Sequence, residues 1–192
     1  MRSRTLFAVL WLVVTLTGIS AVGAADAQTV ANGPYYAVPS WDMTLPSSTR
    51  FIVLANMDSA AVLDRETGLV WERSPETATL NWFTAQSRCN RLAVGDRRGW
   101  RLPAIQELAS LVDADPANVD SPRLPVGHPF LGIGTSAFWS ATIFLDPVTG
   151  DPTGLGWHVF FSDGTVGSGS NRGLTNFARA WCVRGGRGAD AQ

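Results

Sequence analysis

The stretch GWRLPAIQELASLV, Gly99 to Val112, puts a turn, a rigid lead-in and an amphipathic helix side by side. Pro103 fixes its own φ and suits the first position of a helix, where its missing N–H is harmless. Ile105, Leu108, Leu111 and Val112 recur at helical spacing and predict one apolar face. Arg101 and Glu107 flank that face with opposite charges. Arg101, set between Trp100 and Leu102, is expected to take Glu107 or a backbone carbonyl as its partner.

Working outward toward the N-terminus, Asp96-Arg97-Arg98-Gly99 is a polar turn, and Gly95 ends a preceding helix predicted over Thr79 to Leu92. Trp82, Ala85, Cys89 and Leu92 form one stripe of that helix, which places Cys89 on its buried face. Thr79 is the expected N-cap. Further upstream, Ala60 to Asp64 and Leu69 to Arg73 read as a hairpin closed at Gly68. Arg50 to Asn56 is a short apolar run and reads as a buried strand.

Toward the C-terminus, Asp113 to Gly134 is a long, proline-containing loop, a length often associated with function. Short strands follow: Phe138 to Ile143, Leu155 to Phe161, Gly164 to Gly167 and Ala178 to Arg184. Asp163-Gly164 is a hairpin signal. Strand, hairpin, two helices, loop and then more strands do not alternate. The expected class is therefore α+β, with two helices on a mostly antiparallel set of short strands.

Residues 1–27 read as an export leader. Arg2 and Arg4 precede the apolar run Leu6 to Val22, and Ala25-Asp26-Ala27 has a small-x-small cleavage pattern, with Ala24 as the alternative end. The competing reading is a retained anchor, for which the run is short against about 30 Å of hydrocarbon. Residues 28–49, with Pro34, Pro39 and Pro46 among Tyr35, Tyr36 and Trp41, read as an extended arm or tether. The domain is expected over 50–184, and 185–192 as a disordered tail. The expected location is outside the cytoplasm: periplasm, cell surface or medium.

The 15 basic and 16 acidic residues give a net charge of −1, and every basic residue is Arg. That balance gives no pull toward nucleic acid or an anionic membrane. No stable membrane insertion is expected once the leader is removed. Absence of Lys removes Schiff-base chemistry. The two cysteines, Cys89 and Cys182, suggest one disulfide in an exported chain. It would join the first helix to the last strand.

Several short motifs recur together. Trp82-x-x-Ala85-x-x-x-Cys89 precedes Gly99-Trp100-Arg101-Leu102-Pro103 and Gln106-Glu107-Leu108. Phe138-Trp139-Ser140, FSDGTV (161–166) and Cys182-Val183-Arg184 follow, with Thr67-Gly68-Leu69-Val70-Trp71 upstream. In this order the set, over Val53 to Arg184, resembles the C-terminal domain family of the collagen-like adhesin Lcl. The resemblance implies a C-type-lectin-like fold with a helix-to-last-strand disulfide, and Arg101, Leu102, Pro103, Glu107 and Trp139 as its structural motif. Family members are mostly exported bacterial proteins, and the adhesin is associated with sulfated glycans and trimers. This chain has no collagen repeat, so trimerisation is not carried over and its oligomeric state is left open. A more distant likeness, through Arg-Leu-Pro, is to the formylglycine-generating enzymes, whose free cysteine chemistry a Cys89–Cys182 bridge would remove.

The residues that could carry a function are few. Arg88, Arg91, Arg97, Arg98 and Arg101 cluster around the turn, and arginine forks suit sulfate and carboxylate. Arg97 and Arg98 should be exposed; Trp100 and His128 are the other candidate ligand contacts. The bland alternative is a solvated helix face. Asp113, Asp115, Asn118 and Asp120 could supply oxygens to calcium, but without the glycine and distal glutamate of an EF-hand; solvated turns are the better reading. His128 and His158 have no zinc spacing, and no cofactor is expected. The calcium-dependent tripeptides of true C-type lectins do not occur. Ser140 lacks a nucleophile elbow. Glu72, Glu107 and Asp163 could pair as acid and base in a glycosidase, which makes a carbohydrate-active enzyme the least favoured reading. Trp71, Trp82, Trp100, Trp139, Trp157 and Trp181 are expected in the core. The resulting expectation is a non-catalytic binding or adhesion module for a glycan. The alternative is a structural envelope domain that docks on a protein.

Overall fold

A computed structural model describes residues 30–31, 45–115, 117–118, 121–171 and 176–186. The expected leader, the aromatics Tyr35, Tyr36 and Trp41, the end of the tail and Asp120 lie outside the described residues. The elements run β1 (Val30–Ala31), α1 (Ser47–Arg50), β2 (Phe51–Leu54), β3 (Ala61–Asp64), β4 (Leu69–Glu72), α2 (Trp82–Arg91) and β5 (Trp100–Arg101). They continue with α3 (Ile105–Ala109), β6 (Ala137–Leu145), β7 (Pro152–Phe160), β8 (Val166–Asn171) and β9 (Val183–Arg184). A six-stranded sheet has the order β1-β2-β3-β4-β9-β5, and a three-stranded sheet has the order β6-β7-β8. Every pairing is antiparallel except β1 on β2. The fold is α+β, as the order of elements predicts.

Strand alternation explains the core. Phe51, Val53, Val62, Leu69, Trp71 and Val183 point to one face of the large sheet, where they meet Leu108, Leu111, Leu124, Phe130 and Trp181. Their neighbours Ile52, Leu54, Ala61, Leu63 and Cys182 point to the other, where they meet Trp82, Ala85, Cys89 and Trp100. Successive side chains in a strand leave on opposite faces. β2 and β3 are therefore buried at every position, which is why their sequences read as unbroken apolar runs.

Helix α2 and its disulfide cover one face; α3 and the long loop cover the other. The predicted bridge is present, with Cys89 and Cys182 Cα atoms 5.4 Å apart and a sequence separation of 93. Closing a loop of that length is worth about 4–5 kcal/mol in the chain-entropy account. On the opposite face Trp181 packs its ring against Trp71, Phe130, Phe138 and Phe161, at centroid separations of 4.9–5.6 Å.

Several boundaries differ from expectation. Asn81, not Thr79, caps α2: its Oδ1 accepts the Thr84 N–H at 2.9 Å. Pro103 is not the first residue of α3. Leu102 to Ala104 stay extended because the Pro103 carbonyl accepts the Ala141 N–H, tying the lead-in to β6 at 2.6 Å. The helix then starts at Ile105, with the Ala104 N–H donated to Glu107 Oε2 at 2.8 Å. The expected strand Ala178–Arg184 changes partners along its length. Ala178 bridges Leu80, Arg179 bridges Phe138, and only Val183–Arg184 forms a ladder. The Asp163-Gly164 hairpin is present, but β8 lies beyond it, at Val166–Asn171 rather than 164–167. The arm was expected to be extended, with its prolines resisting helix and central strand; Val30–Ala31 is an extended edge strand, parallel to Val53–Leu54, whereas Ser47–Arg50 forms a short helix after Pro46. Gly185, placed in the disordered tail, accepts a hydrogen bond from Arg101. Trp157 is half-buried against Phe144 rather than a core residue.

Candidate functional site

The arginine cluster is sorted by the fold into two kinds. Arg88 lies on the second turn of α2, over the disulfide. Its guanidinium makes a fork with the Glu72 carboxylate at 2.6 and 2.9 Å, reaches Glu76 at 3.3 Å and donates to Cys182 Sγ at 2.9 Å. Backbone N–H groups, first that of Ala78, together with Arg88 hold the Glu76 carboxyl below its usual range against the opposing effect of burial. Arg101 makes the same kind of fork with Glu107, both arms at 2.7 Å, and also donates to the Leu102 and Gly185 carbonyls. These two arginines are part of the framework.

Arg91, Arg97 and Arg98 are exposed, and none has an ion pair among the described residues. The turn that carries the last two is held rigidly. Trp100, only 2 % exposed, donates its indole N–H to the Arg97 carbonyl at 2.8 Å. Gly95 has φ +55, and a Cβ there would collide with the Met57 backbone, so only glycine lets the turn pack this closely on the 3-10 turn that follows β2. Asp96 also takes a positive φ, 55°. Arg184, in β9, donates its Nε to the Arg98 carbonyl at 2.8 Å. A further guanidinium is thus brought to the turn from 86 positions away, a contact no local sequence pattern could reveal.

Trp100 was a candidate ligand contact. Its burial corrects that: the ring has no surface to offer and works as the floor of the turn.

The long loop packs on the opposite face of the sheet. Leu124, Phe130 and Ile133 feed the cluster around Trp181, whereas Val94 and Trp100 belong with the disulfide cluster. The turn and the loop therefore feed different core clusters, on opposite faces of the sheet.

The acidic residues of the loop close turns. Asp113 accepts from the Asp115 N–H and from Asn118 Nδ2, and Asp115 accepts from the Ala117 N–H. The Asp115 N–H is the main cause of a lowered Asp113 pKa. Among the described residues no group of His, Cys, Asp and Glu is arranged to hold a metal.

His128 borders an open cleft of about 300 Å³ with Ser121, Pro122, Leu124, Val126 and Gly127. Burial pushes its pKa down. His158 is buried in a box of rings, with Trp139, Phe160 and Phe177 at 6.0, 5.0 and 4.9 Å. Burial lowers its pKa, against a smaller opposing contribution from the Gly156 backbone. Trp139 donates to the Leu80 carbonyl, and Ser140 donates to the Trp157 carbonyl; both residues are fully buried. Glu72 and Glu107 are each held in an arginine fork, and Asp163 accepts the Thr165 N–H of its hairpin.

A buried ion-pair centre was not foreseen. Arg50 makes a fork with Asp64 at 2.8 and 3.0 Å, pairs with Glu66 at 3.0 Å and donates to the Ser110 carbonyl at 2.8 Å. It stitches α1 and β3 to the end of α3. The residues are far apart in sequence and have no motif spacing.

The Lcl C-terminal domain profile matches residues 60–184. The chain belongs to the Lcl C-terminal domain family. No curated protein and no solved structure matches it. The match takes in the whole of the arginine turn, both cysteines and the long loop. Among the described residues no helix is long and apolar enough to cross a membrane.

Proposed function

We propose that this Lcl C-terminal domain is a non-catalytic binding module of an exported protein, and that it holds a polyanionic surface glycan on the arginine turn. The observation that carries the reading is the division of labour among the arginines. Arg88 and Arg101 are consumed by Glu72 and Glu107. Arg91 at the end of α2 and Arg97 and Arg98 on the braced turn face solvent, with Arg184 bonded to the Arg98 carbonyl. Unpaired guanidinium forks on a preorganised loop suit sulfate or carboxylate groups bidentately. The family resemblance to an adhesin associated with sulfated glycans points the same way. A C-type-lectin-like fold belongs to this proposal, supported by the bridge from helix to last strand and by the long loop packed over one sheet face. Export is supported by the leader-like residues 1–27 and by a buried disulfide, a bond that persists in oxidising compartments.

The test is retention on immobilised heparin and binding to sulfated oligosaccharides across a salt series. Affinity should fall with salt, because exposed charges are screened within about 10 Å at 0.1 M. Arg97→Ala/Arg98→Ala should weaken binding by about tenfold or more, the effect expected from losing charged hydrogen bonds. Absent binding, or binding that ignores salt, would overturn this reading.

The second reading, a structural envelope domain docked on a protein, draws on Leu145 and Val148. They stand 47 % and 91 % exposed at the end of the β6–β7 hairpin. A stable co-purifying protein that is lost in Leu145→Ser/Val148→Ser, with no glycan bound, would favour it.

A further inference from the structure

We propose that the His128 cleft is a second, separate binding site, and that it recognises a neutral acetamido group. The argument begins with the imidazole. Nδ1 accepts the Phe130 backbone N–H at 3.2 Å. In a neutral ring the proton is then on Nε2, which is left as a donor with no partner among the described residues. Burial lowers the pKa of His128 and so keeps the ring neutral at physiological pH. The ring thus offers one directional N–H donor that carries no charge, in contrast to the guanidinium groups on the other face of the sheet.

The rest of the lining completes the pattern. Ser121 donates its hydroxyl proton to the Ser162 carbonyl at 3.3 Å, so Oγ remains as an acceptor. Pro122 and Val126 supply apolar surface, and Val126 is 69 % exposed. One donor, one acceptor and an apolar wall are complementary to the C=O, N–H and CH₃ of an acetamide. The volume, about 300 Å³, is at the small end of ligand sites and suits a single substituent or sugar ring rather than an extended chain. Two sources carry this chemistry: an N-acetylated sugar and an acetylated lysine side chain.

The experiment is a titration of the ¹⁵N-labelled, disulfide-intact protein, followed at the Phe130 amide and the His128 ring. Probes are N-acetylglucosamine, glucose and side-chain-acetylated lysine. N-acetylglucosamine or acetyl-lysine should shift these signals with a Kd on the order of 1 mM, typical of a one-group contact, and glucose should not. Response to the sugar alone assigns a glycan source, to acetyl-lysine alone a protein source; response to both supports acetamide recognition as such. No response to either, or an equal response to glucose, overturns the proposal. His128→Ala should weaken binding by about tenfold through loss of the donor. Val126→Asp changes a solvent-exposed side chain and so tests the apolar wall in a protein that still folds. Binding should persist at high salt and in Arg97→Ala/Arg98→Ala, which keeps failure here distinct from failure of the polyanion reading.

Discussion

The two faces of the six-stranded sheet are closed by different means. On the helix face a ten-residue α2 is bolted to the last strand by Cys89–Cys182. On the loop face the cover is a five-residue α3 and the irregular segment that follows it. There the work falls to the rings around Trp181 and to the buried Arg50–Asp64 fork, with side chains only 8 % and 0 % exposed. The covalent clamp acts largely on the unfolded chain, by shrinking its freedom. The ion pair acts in the folded state, where its value depends on both partners being present. The difference extends to the surfaces. The clamped face carries a rigid, charged turn; the loop face carries a neutral, partly apolar cleft.

The largest expected effect would show whether the clamp dominates. Cys89→Ala/Cys182→Ala should lose about 4–5 kcal/mol in chemical denaturation, with a large fall in Tm. A loss below about 1 kcal/mol would mean that the helix face is held by packing alone. Next comes the other face. Arg50→Met leaves Asp64 buried without its partner and should cost about 3–4 kcal/mol, whereas Arg50→Met/Asp64→Leu should recover most of it. Equal losses in single and double variants would break the contrast drawn between the two devices.

A smaller effect concerns pH. His128 and His158 both have pKa values pushed below the ordinary histidine range, chiefly by burial. The unfolded chain then binds protons that the folded chain refuses. Stability is fully present above the ordinary histidine value of about 6.5 and declines as pH falls below it. His158→Gln should shallow that acid-side decline in a pH series of melts, and His128→Ala should remove a further part. A profile identical to that of the parent protein would contradict the burial argument. Smallest of all, Arg97→Ala/Arg98→Ala should move stability by no more than about 0.5 kcal/mol, because both side chains are exposed and unpaired. A large loss would place them in the framework with Arg88 and Arg101.

Much of the framework could be read from residue order. The Trp82-Ala85-Cys89 stripe put one sulfur on a buried helix face. The run from Arg50 to Asn56 announced a buried strand, Ala60 to Asp64 and Leu69 to Arg73 a hairpin, and Asp163-Gly164 another. Arg101, between two buried neighbours and six positions before Glu107, could be paired with it on paper. Boundaries were less legible. Asn81 and Thr79 are both capping residues, and only the position of Leu80, bridged to Ala178, decides between them. Pro103 is equally compatible with a helix and with the extended lead-in that β6 holds in place.

The chain's own order of residues determined its class, the helices α2 and α3, its single possible bridge and the existence of an arginine-rich turn, because these depend on residue type and on spacing along a few turns of backbone. Tertiary structure alone decided which arginines are consumed and which face water, that Arg184 joins the turn, that Arg50 is buried, and that a sheet separates the turn from the loop. Those outcomes depend on contacts between residues tens of positions apart. Helical and strand periodicity carries no information about which distant face a side chain will meet.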